Sequence, residues 1–169
     1  MSRGLNPEEI DRLLGIADRF EIRECIETYP RGVDRHDDAI LRSVFHEDAV
    51  DDHGVARDLD EFVYWANNIV HQHLAAHMHH ITSHTATVEG DHAHAESYVL
   101  FVHRYKDGKT VHVAGGRYLD QLERREGRWG IVRRQVVVDY RYLADGSIFG
   151  DWDGYVKGSW GADDPSYRC

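Results

Sequence analysis

Cysteine is scarce in this sequence, whose 169 residues include only two, Cys25 and Cys169. A disulfide framework and a cysteine-based metal site both need more thiols than this, at defined spacings. Cys25 falls on an apolar helical stripe, and neither cysteine has a base beside it in the sequence. We therefore interpret both as ordinary thiols.

Positive charge and long apolar runs are also missing. Lys and Arg number 20 against 30 Asp and Glu, which gives a formal net charge of -10, and no basic run is present. Nucleic-acid binding needs clustered cations, so nucleic acid is not an expected partner. No apolar stretch approaches the roughly 20 residues of a membrane span, and residues 1–9 lack a signal-peptide pattern. We expect a soluble, cytoplasmic protein that makes no membrane contact.

The first half of the sequence carries helical signals. Asn6-Pro7-Glu8-Glu9 offers an N-cap side chain, a proline at the first helical position and an acid at the third, a combination that starts a helix. Apolar residues at helical spacing continue it to about Val33, with a bend at Pro30, so that Asp34 lies at its end. A short helix through Leu41 and Phe45, an extended stretch at residues 49–52 and a third helix follow. The third helix carries Phe62, Trp65, Ala66, Ile69 and Val70.

Strands separated by tight turns fill the sequence from His79 onward. Three turn motifs, each suited to a hairpin, divide this part into four strands, namely Glu89-Gly90-Asp91, Lys106-Asp107-Gly108 and Arg125-Glu126-Gly127. The pair Gly115-Gly116 predicts a bend in the sheet. Helices first and strands second indicate one α+β domain with helices on one face of an antiparallel sheet. The aromatic-rich tail, residues 144–169, is predicted to be a loop or lid, with Trp152 against an aromatic ligand. The alternative is that the aromatic residues of the tail seal the domain or an oligomer interface.

Several phrases together resemble a known family. They are Tyr29-Pro30-Arg31-Gly32-Val33-Asp34, Met78-His79-His80-Ile81-Thr82-Ser83, Gly115-Gly116-Arg117-Tyr118 and two of the turn motifs. Over residues 12–142 the sequence resembles the SnoaL-like branch of the nuclear transport factor two-like superfamily. The resemblance implies a cone-shaped, cystatin-like barrel over residues 1–143, in which a strongly curved antiparallel sheet wraps around three or four N-terminal helices and encloses a pocket. It also implies a homodimer or homotrimer.

A catalytic pair is a further implication of the resemblance. In dehydratases and a dehydrochlorinase of this superfamily, the acid of the Gly-Val-Asp phrase and the histidine that opens the first long strand form a dyad, and the matching residues are Asp34 and His79. A carboxylate orients an imidazole and stabilises its protonated form, which suits His79 to act as a base. The resemblance gives Arg134 as the receiver of the leaving group and Tyr29 as a hydrogen-bond donor. The alternatives are structural: Asp34 closes a helix, Arg134 forms a salt bridge and Tyr29 buries its hydroxyl.

Strand alternation predicts which neighbours share the pocket, because successive side chains point to opposite faces. His79, Ile81 and Ser83 share one face, and His80, Thr82 and His84 share the other. On the following strands the predicted inward side chains are Val99, Phe101, His103, Tyr105, Val132, Arg134, Val136 and Val138. We predict that Ile81, Val99, Phe101 and Val136 bind the apolar body of a substrate and that His103 is a second acid/base group. A half-exposed histidine near a strand end is the alternative for His103.

Six histidines crowd residues 71–84, which raises the question of a metal site. Imidazole binds zinc, copper, nickel and iron. However, His71 and His73 diverge on a predicted helix, strand alternation splits the others, and no thiolate or matched carboxylate completes a defined spacing. We therefore predict neither a metal nor a cofactor.

Three functions are compatible with these features. The first is a cofactor-independent lyase for a hydrophobic, aromatic small molecule, which removes water or releases an aldehyde, such as formaldehyde from an aryl-propane diol. The second is a non-catalytic ligand-binding or accessory domain, since one fold hosts many functions. The third is the small subunit of an aromatic-ring dioxygenase. The presence of both dyad residues in the right phrases favours the lyase.

Overall fold

The computed structural model describes residues 4–147 and 154–168. Three helices precede or interrupt the first strands: α1 (Pro7–Arg35), α2 (Asp38–Ser43) and α3 (Leu59–Tyr64). A π-helical turn (Trp65–Ile69) and a 3₁₀ turn (Val70–His73) continue α3. The strands are β1 (Phe45–Asp52), β2 (Ala56–Asp58), β3 (Leu74–Glu89), β4 (His92–Tyr105), β5 (Thr110–Arg125) and β6 (Arg128–Asp145). Two further 3₁₀ turns follow in the tail, Gly161–Asp163 and Pro165–Tyr167.

Helix α1 begins as the sequence predicts. The Asn6 side chain accepts a hydrogen bond from the backbone of Glu9, and the Glu9 carboxylate accepts one from the backbone of Asn6, each at 2.9 Å. The helix continues through Pro30 and ends at Arg35, where His36 takes a left-handed conformation with φ of 53°. Its buried face carries Ile22, Ile26, Tyr29 and Val33 at helical spacing. The helix therefore delivers Asp34, in its last turn, to the inner face of the sheet.

The six strands form one sheet in the order β2-β1-β6-β5-β4-β3. The predicted antiparallel meander of four strands is confirmed as β3 to β6. The sheet as a whole is mixed, because β1 pairs with β6 in parallel. In the described part of the chain the sheet is open, with β2 and β3 as its edges, so the α+β class is confirmed while closure into a barrel is not.

Two of the register shifts in the sheet bear on the sequence predictions. The register between β5 and β6 shifts at Gly115 and Gly116, where a Cβ on Gly116 would lie 2.0 Å from the carbonyl oxygen of Val137. This shift confirms the predicted bend. A second shift follows Ile81 on β3, so that Ser83 is exposed and His84 is half-buried. The predicted faces of Ser83 and His84 are therefore wrong, because a bulge inverts the alternation beyond it.

The first long strand begins at Leu74 and not at the predicted His79. Two other boundaries also differ from the sequence prediction. Phe45 belongs to β1 and not to the short helix, and the third helix changes to π-helical geometry at Trp65. Both segments keep their apolar residues in the core: Phe45, Phe62 and Ala66 are buried together with the α1 face. Among the described residues, no helix is long and apolar enough to cross a membrane.

Candidate active site

The last turn of α1 brings Asp34 against the first part of β3. Oδ1 of Asp34 lies 2.6 Å from Nδ1 of His79, and Oδ2 accepts a hydrogen bond of 2.9 Å from the backbone N–H of His79. Both carboxylate oxygens thus hold one residue and fix the orientation of its ring. The predicted hydrogen bond is confirmed. Because Nδ1 of His79 is bound to Asp34, Nε2 is the ring nitrogen that can exchange a proton with a ligand.

A cavity of about 650 Å³ opens beside this pair. Its walls come from α1, from α3 and the turn after it, and from β3, β4, β5 and β6. Most of the lining is apolar or aromatic, with a few polar groups, which is the composition of a site for a small hydrophobic molecule. Five predicted site residues line the cavity: Tyr29, His79, Phe101, His103 and Val136.

Arg134 lies behind this cavity and does not line it. Its guanidinium donates hydrogen bonds of 2.7 and 2.9 Å to the carboxylate of Asp120, and both side chains are fully buried. The guanidinium carbon lies 4.1 Å from the ring centroids of both Tyr29 and Tyr118, which separate it from the cavity. The predicted inward position of Arg134 is confirmed, and so is the alternative that it forms a salt bridge. Direct contact between Arg134 and a leaving group is not supported, because the rings of Tyr29 and Tyr118 lie between the guanidinium and the cavity.

Ile81 and Val99 pack beside the cavity without lining it. They pair across β3 and β4, two residues beyond the pair of His79 and Phe101. Val99 is 3% exposed in the hydrophobic core, and Ile81 packs against the same core. The predicted contact of these two side chains with a substrate stays a prediction, and this cavity does not support it, because both side chains pack in or against the core. Trp152 lies outside the described residues.

His103 lines the cavity on the β4 side. Its ring centroid lies 6.0 Å from that of His79 and 5.6 Å from that of His112. Burial lowers the pKa of His103 to about 3, and the neighbouring His79 and His77 contribute to the lowering. At neutral pH this imidazole therefore carries no charge, and it offers the cavity a hydrogen-bond donor or acceptor.

His77 lies on the same face of β3 as His79 and is 7% exposed. Its Nε2 lies 3.2 Å from Nε2 of His36, the residue that caps α1. Burial lowers the pKa of both imidazoles to about 4. Asp34, His77 and His79 also each offer one metal-ligand atom, and these three atoms lie within 4.8 Å of one another. The sequence spacing offered no matched carboxylate for a metal site, but in the fold Asp34 reaches two of these histidines from another element.

The comparisons with known proteins agree with this architecture. A family model described as "SnoaL-like domain" matches residues 15–135. The chain belongs to this SnoaL-like family. Among curated proteins, no sequence matches the chain.

Solved structures share the SnoaL-like fold. A protein from Novosphingobium aromaticivorans, named as a proposed aromatic ring hydroxylase, is 28% identical, with a TM-score of 0.69 over 77% of this chain and 94% of that one. A hexachlorocyclohexane dehydrochlorinase of type 2 is 22% identical, with a TM-score of 0.74 over 86% and 99%. A proposed scytalone dehydratase from Novosphingobium aromaticivorans is 18% identical, with a TM-score of 0.65 over 90% and 95%. At these low identities, the similarity to the latter two structures is evidence for a shared fold alone.

The tail beyond the SnoaL-like domain packs against the end of α1. The Trp160 ring lies 4.5 Å from the His36 ring and 4.3 Å from the His71 ring, between centroids. The Tyr167 hydroxyl donates a hydrogen bond of 2.5 Å to Asp37, beside the dyad helix. A second cavity, of about 730 Å³, lies between the tail and β3, and Asp34 and His77 are part of its wall.

Several site residues of this SnoaL-like domain lie beyond the sequence prediction. His77 precedes His79 by two positions, so alternation alone would have placed it on the same face. His53 and Trp65 line the cavity because β1 pairs with β6 and carries the following helix with it. No local pattern indicated that parallel pairing. Their contribution could therefore be found only in three dimensions.

Proposed function

We propose that this chain is a cofactor-independent lyase that acts on a hydrophobic, aromatic small molecule bearing a hydroxyl group. The observation that carries the proposal is the hydrogen bond of 2.6 Å between Asp34 and His79 at the wall of a largely apolar cavity. An oriented histidine next to a buried carboxylate is equipped to act as a general base. The apolar walls supply binding energy for an aromatic body.

In the proposed reaction, Nε2 of His79 removes a proton from the substrate, and Asp34 stabilises the imidazolium. For dehydration the proton comes from carbon, the electron pair of that bond forms the new double bond, and the hydroxyl leaves from the adjacent carbon. The imidazolium returns its proton to this hydroxyl, which departs as water. The base is thereby regenerated without any further reactant.

Release of formaldehyde would use the same base on a different proton. His79 would take the hydroxyl proton of a hydroxymethyl group, whose carbon–carbon bond then breaks to release formaldehyde. The electron pair remains on the carbon next to the aryl ring, which delocalises the charge, and the imidazolium protonates that carbon. Both versions use the same cavity, and they differ in their products: an alkene and water in the first, formaldehyde and the protonated aryl compound in the second.

Tyr29 and Arg134 have complementary proposed roles. Burial raises the pKa of Tyr29 well above its ordinary value, so its hydroxyl stays protonated and can donate a hydrogen bond to a substrate oxygen. Arg134 lies against the Tyr29 ring and acts through it. We therefore assign Tyr29 as the group that contacts the leaving group and Arg134 as a positioning residue.

The named relatives support an elimination reaction. A dehydrochlorinase and a proposed dehydratase share the fold, and both names describe the loss of a small molecule. The relative named as a proposed aromatic ring hydroxylase supports an aromatic substrate. These names concern the relatives, and the chemistry of this chain is inferred from its own side chains.

A substrate screen tests the proposal. The purified protein is incubated with aryl-propane diols and other aromatic alcohols after exhaustive dialysis against a chelator, and the products are separated by chromatography while free formaldehyde is assayed. We expect an alkene or formaldehyde to accumulate. Tight binding of these compounds without any product would support the non-catalytic binding domain instead. Activity only with a co-purified iron–sulfur subunit would support a dioxygenase subunit.

A further inference from the structure

The dyad is part of a larger group of metal-ligating side chains. Asp34, His77 and His79 each present one ligand atom, and the three atoms lie within 4.8 Å of one another. Among residues 4–147 and 154–168 this is the one cluster of three such side chains that meets this spacing. Two imidazoles and a carboxylate from one strand and one helix end are a ligand set that zinc and its first-row neighbours accept.

The surroundings of the cluster orient its ligands. Nε2 of His77 is engaged with Nε2 of His36 at 3.2 Å, which leaves Nδ1 of His77 as the available nitrogen. Histidines that bind metals commonly direct their other ring nitrogen to a hydrogen-bond partner in this way, which fixes the tautomer. The rings of His77 and His79 are 5.8 Å apart and inclined by 71°, so they converge from two directions.

The cluster is mostly buried but borders two cavities. His77 belongs to the walls of both cavities, and Asp34 belongs to the wall of the cavity of about 730 Å³ below the tail. An ion could enter from either cavity, and water could complete a tetrahedral coordination shell. Three protein ligands with the fourth position left to water or another ligand is a known coordination arrangement of protein-bound zinc.

We propose that Asp34, His77 and His79 bind a divalent transition-metal ion, with Zn²⁺ as the representative, and that the ion inhibits the reaction of the dyad. Its entry displaces the proton between Asp34 Oδ1 and Nδ1 of His79, and this proton is released to solvent. The two atoms then separate from 2.6 Å to roughly 3.3 Å, the spacing of adjacent ligands in a tetrahedral shell at metal distances of about 2.0–2.1 Å. The inhibitory part rests on the proposed lyase function, and the binding part does not.

Binding is tested with Co²⁺, whose visible absorption reports its coordination, followed by displacement with Zn²⁺. The proteins are the full chain, His77→Gln and, as a matched control, His80→Gln, which changes an exposed neighbour on the opposite face of β3. We expect one tight Co²⁺ site in the full chain and in His80→Gln, and at least a tenfold weaker site in His77→Gln. Equal binding by all three proteins would overturn the proposal.

A second measurement needs no variant. X-ray absorption at the metal edge of the unaltered chain loaded with one Zn²⁺ should show two imidazole ligands and additional oxygen ligands. One imidazole or none would place the ion elsewhere on the surface and overturn the site. This measurement decides the question even if His77→Gln fails to fold.

The inhibitory consequence is tested separately with an aromatic alcohol that the chain turns over. Zn²⁺ at the concentration that fills the site should abolish turnover, and a chelator should restore it. Turnover that rises with Zn²⁺ and is lost on chelation would overturn inhibition. If no compound is turned over while Co²⁺ still binds in a His77-dependent manner, the lyase function fails and the metal site stands.

Discussion

Asp120 and Arg134 lie opposite each other on β5 and β6 and form a fully buried, two-point ion pair. Burial alone would lower the pKa of Arg134, but the Asp120 carboxylate raises it by more, so the guanidinium stays charged. The cation also lies 4.1 Å from the centroids of the Tyr29 and Tyr118 rings. Tyr29 and Tyr118, which line the cavity, therefore pack against a buried ion pair whose own side chains do not line it.

Replacing Arg134 with Met should destabilise the fold strongly. Asp120 would remain buried without a partner, and breaking such a pair costs about 3–5 kcal/mol. Urea denaturation at neutral pH measures the change in the free energy of unfolding. The double variant Arg134→Met, Asp120→Leu should recover most of the loss, because an apolar pair of similar volume replaces the ion pair. A double variant as unstable as the single one would contradict this explanation.

Replacing Asp34 with Asn should reduce turnover by roughly 10²–10⁴-fold while the chain stays folded. The new amide can donate a hydrogen bond to Nδ1 of His79, which would place the imidazole proton on Nε2 and block its role as a base. Steady-state kinetics and circular dichroism measure the two quantities. Glu24→Gln, which changes an exposed acid on the same helix, is the control and should behave like the unaltered chain. A fully active Asp34→Asn protein would remove the dyad from the mechanism.

Replacing His79 with Gln should abolish turnover, and replacing His80 with Gln should have little effect. The two residues are adjacent on β3, but His79 is held by Asp34 and faces the cavity, whereas His80 is exposed. Product formation from an aromatic alcohol and the melting temperature are measured for both variants. Equal loss of activity in the two variants would mean that strand alternation does not assign the base.

The sequence predicted those parts of the fold that local chemistry determines. The capping box at Asn6, the turn glycines and the bend at Gly116 act through neighbouring atoms, and each lies where it was expected. The contact of Asp34 with His79 joins positions 45 residues apart, and it was accessible only because the two phrases resemble a family. Local patterns would not have paired them.

The errors have two physical causes. The bulge after Ile81 inverts the faces of Ser83 and His84, and strict alternation cannot anticipate an extra residue. Arg134 was expected at the leaving group from the family resemblance and from its predicted inward face, but the Tyr29 and Tyr118 rings that lie against it were not anticipated. Face and depth are different properties. A periodic pattern predicts the face on which a side chain lies, provided that no bulge interrupts the strand. The depth of that side chain is determined by the packing of other elements.

Gly116→Ala should destabilise the chain by about 1–3 kcal/mol or more, because overpacking a well-packed site typically costs this much. The new Cβ would lie 2.0 Å from the carbonyl oxygen of Val137, so the bend between β5 and β6 would have to open. Gly15→Ala is the matched control on an open helical face, where the nearest neighbour is the end of the Arg19 side chain at 3.9 Å. This control should be stabilised by about 0.5–1 kcal/mol. Urea denaturation compares both variants, and equal effects would contradict the close approach at Gly116.

The stability of the fold should decrease as the pH falls below about 6.5, and His103 should be one cause. Its pKa is lowered from 6.5 to about 3 by burial first and then by His79, His77 and His112, while Asp34 acts in the opposite direction. Between these two values the unfolded chain binds a proton that the folded chain does not, so the stabilising contribution is complete above pH 6.5 and is lost towards pH 3.

His103→Gln should therefore reduce the slope of unfolding free energy against pH by at most about 1.4 kcal/mol per pH unit. Urea denaturation between pH 7 and pH 4.5, with a chelator present, measures that slope, and His92→Gln, which alters an imidazole whose side chain is 72% exposed, should leave it unchanged. An unaltered slope in His103→Gln would show that this imidazole accepts a proton as readily in the folded chain as in the unfolded one.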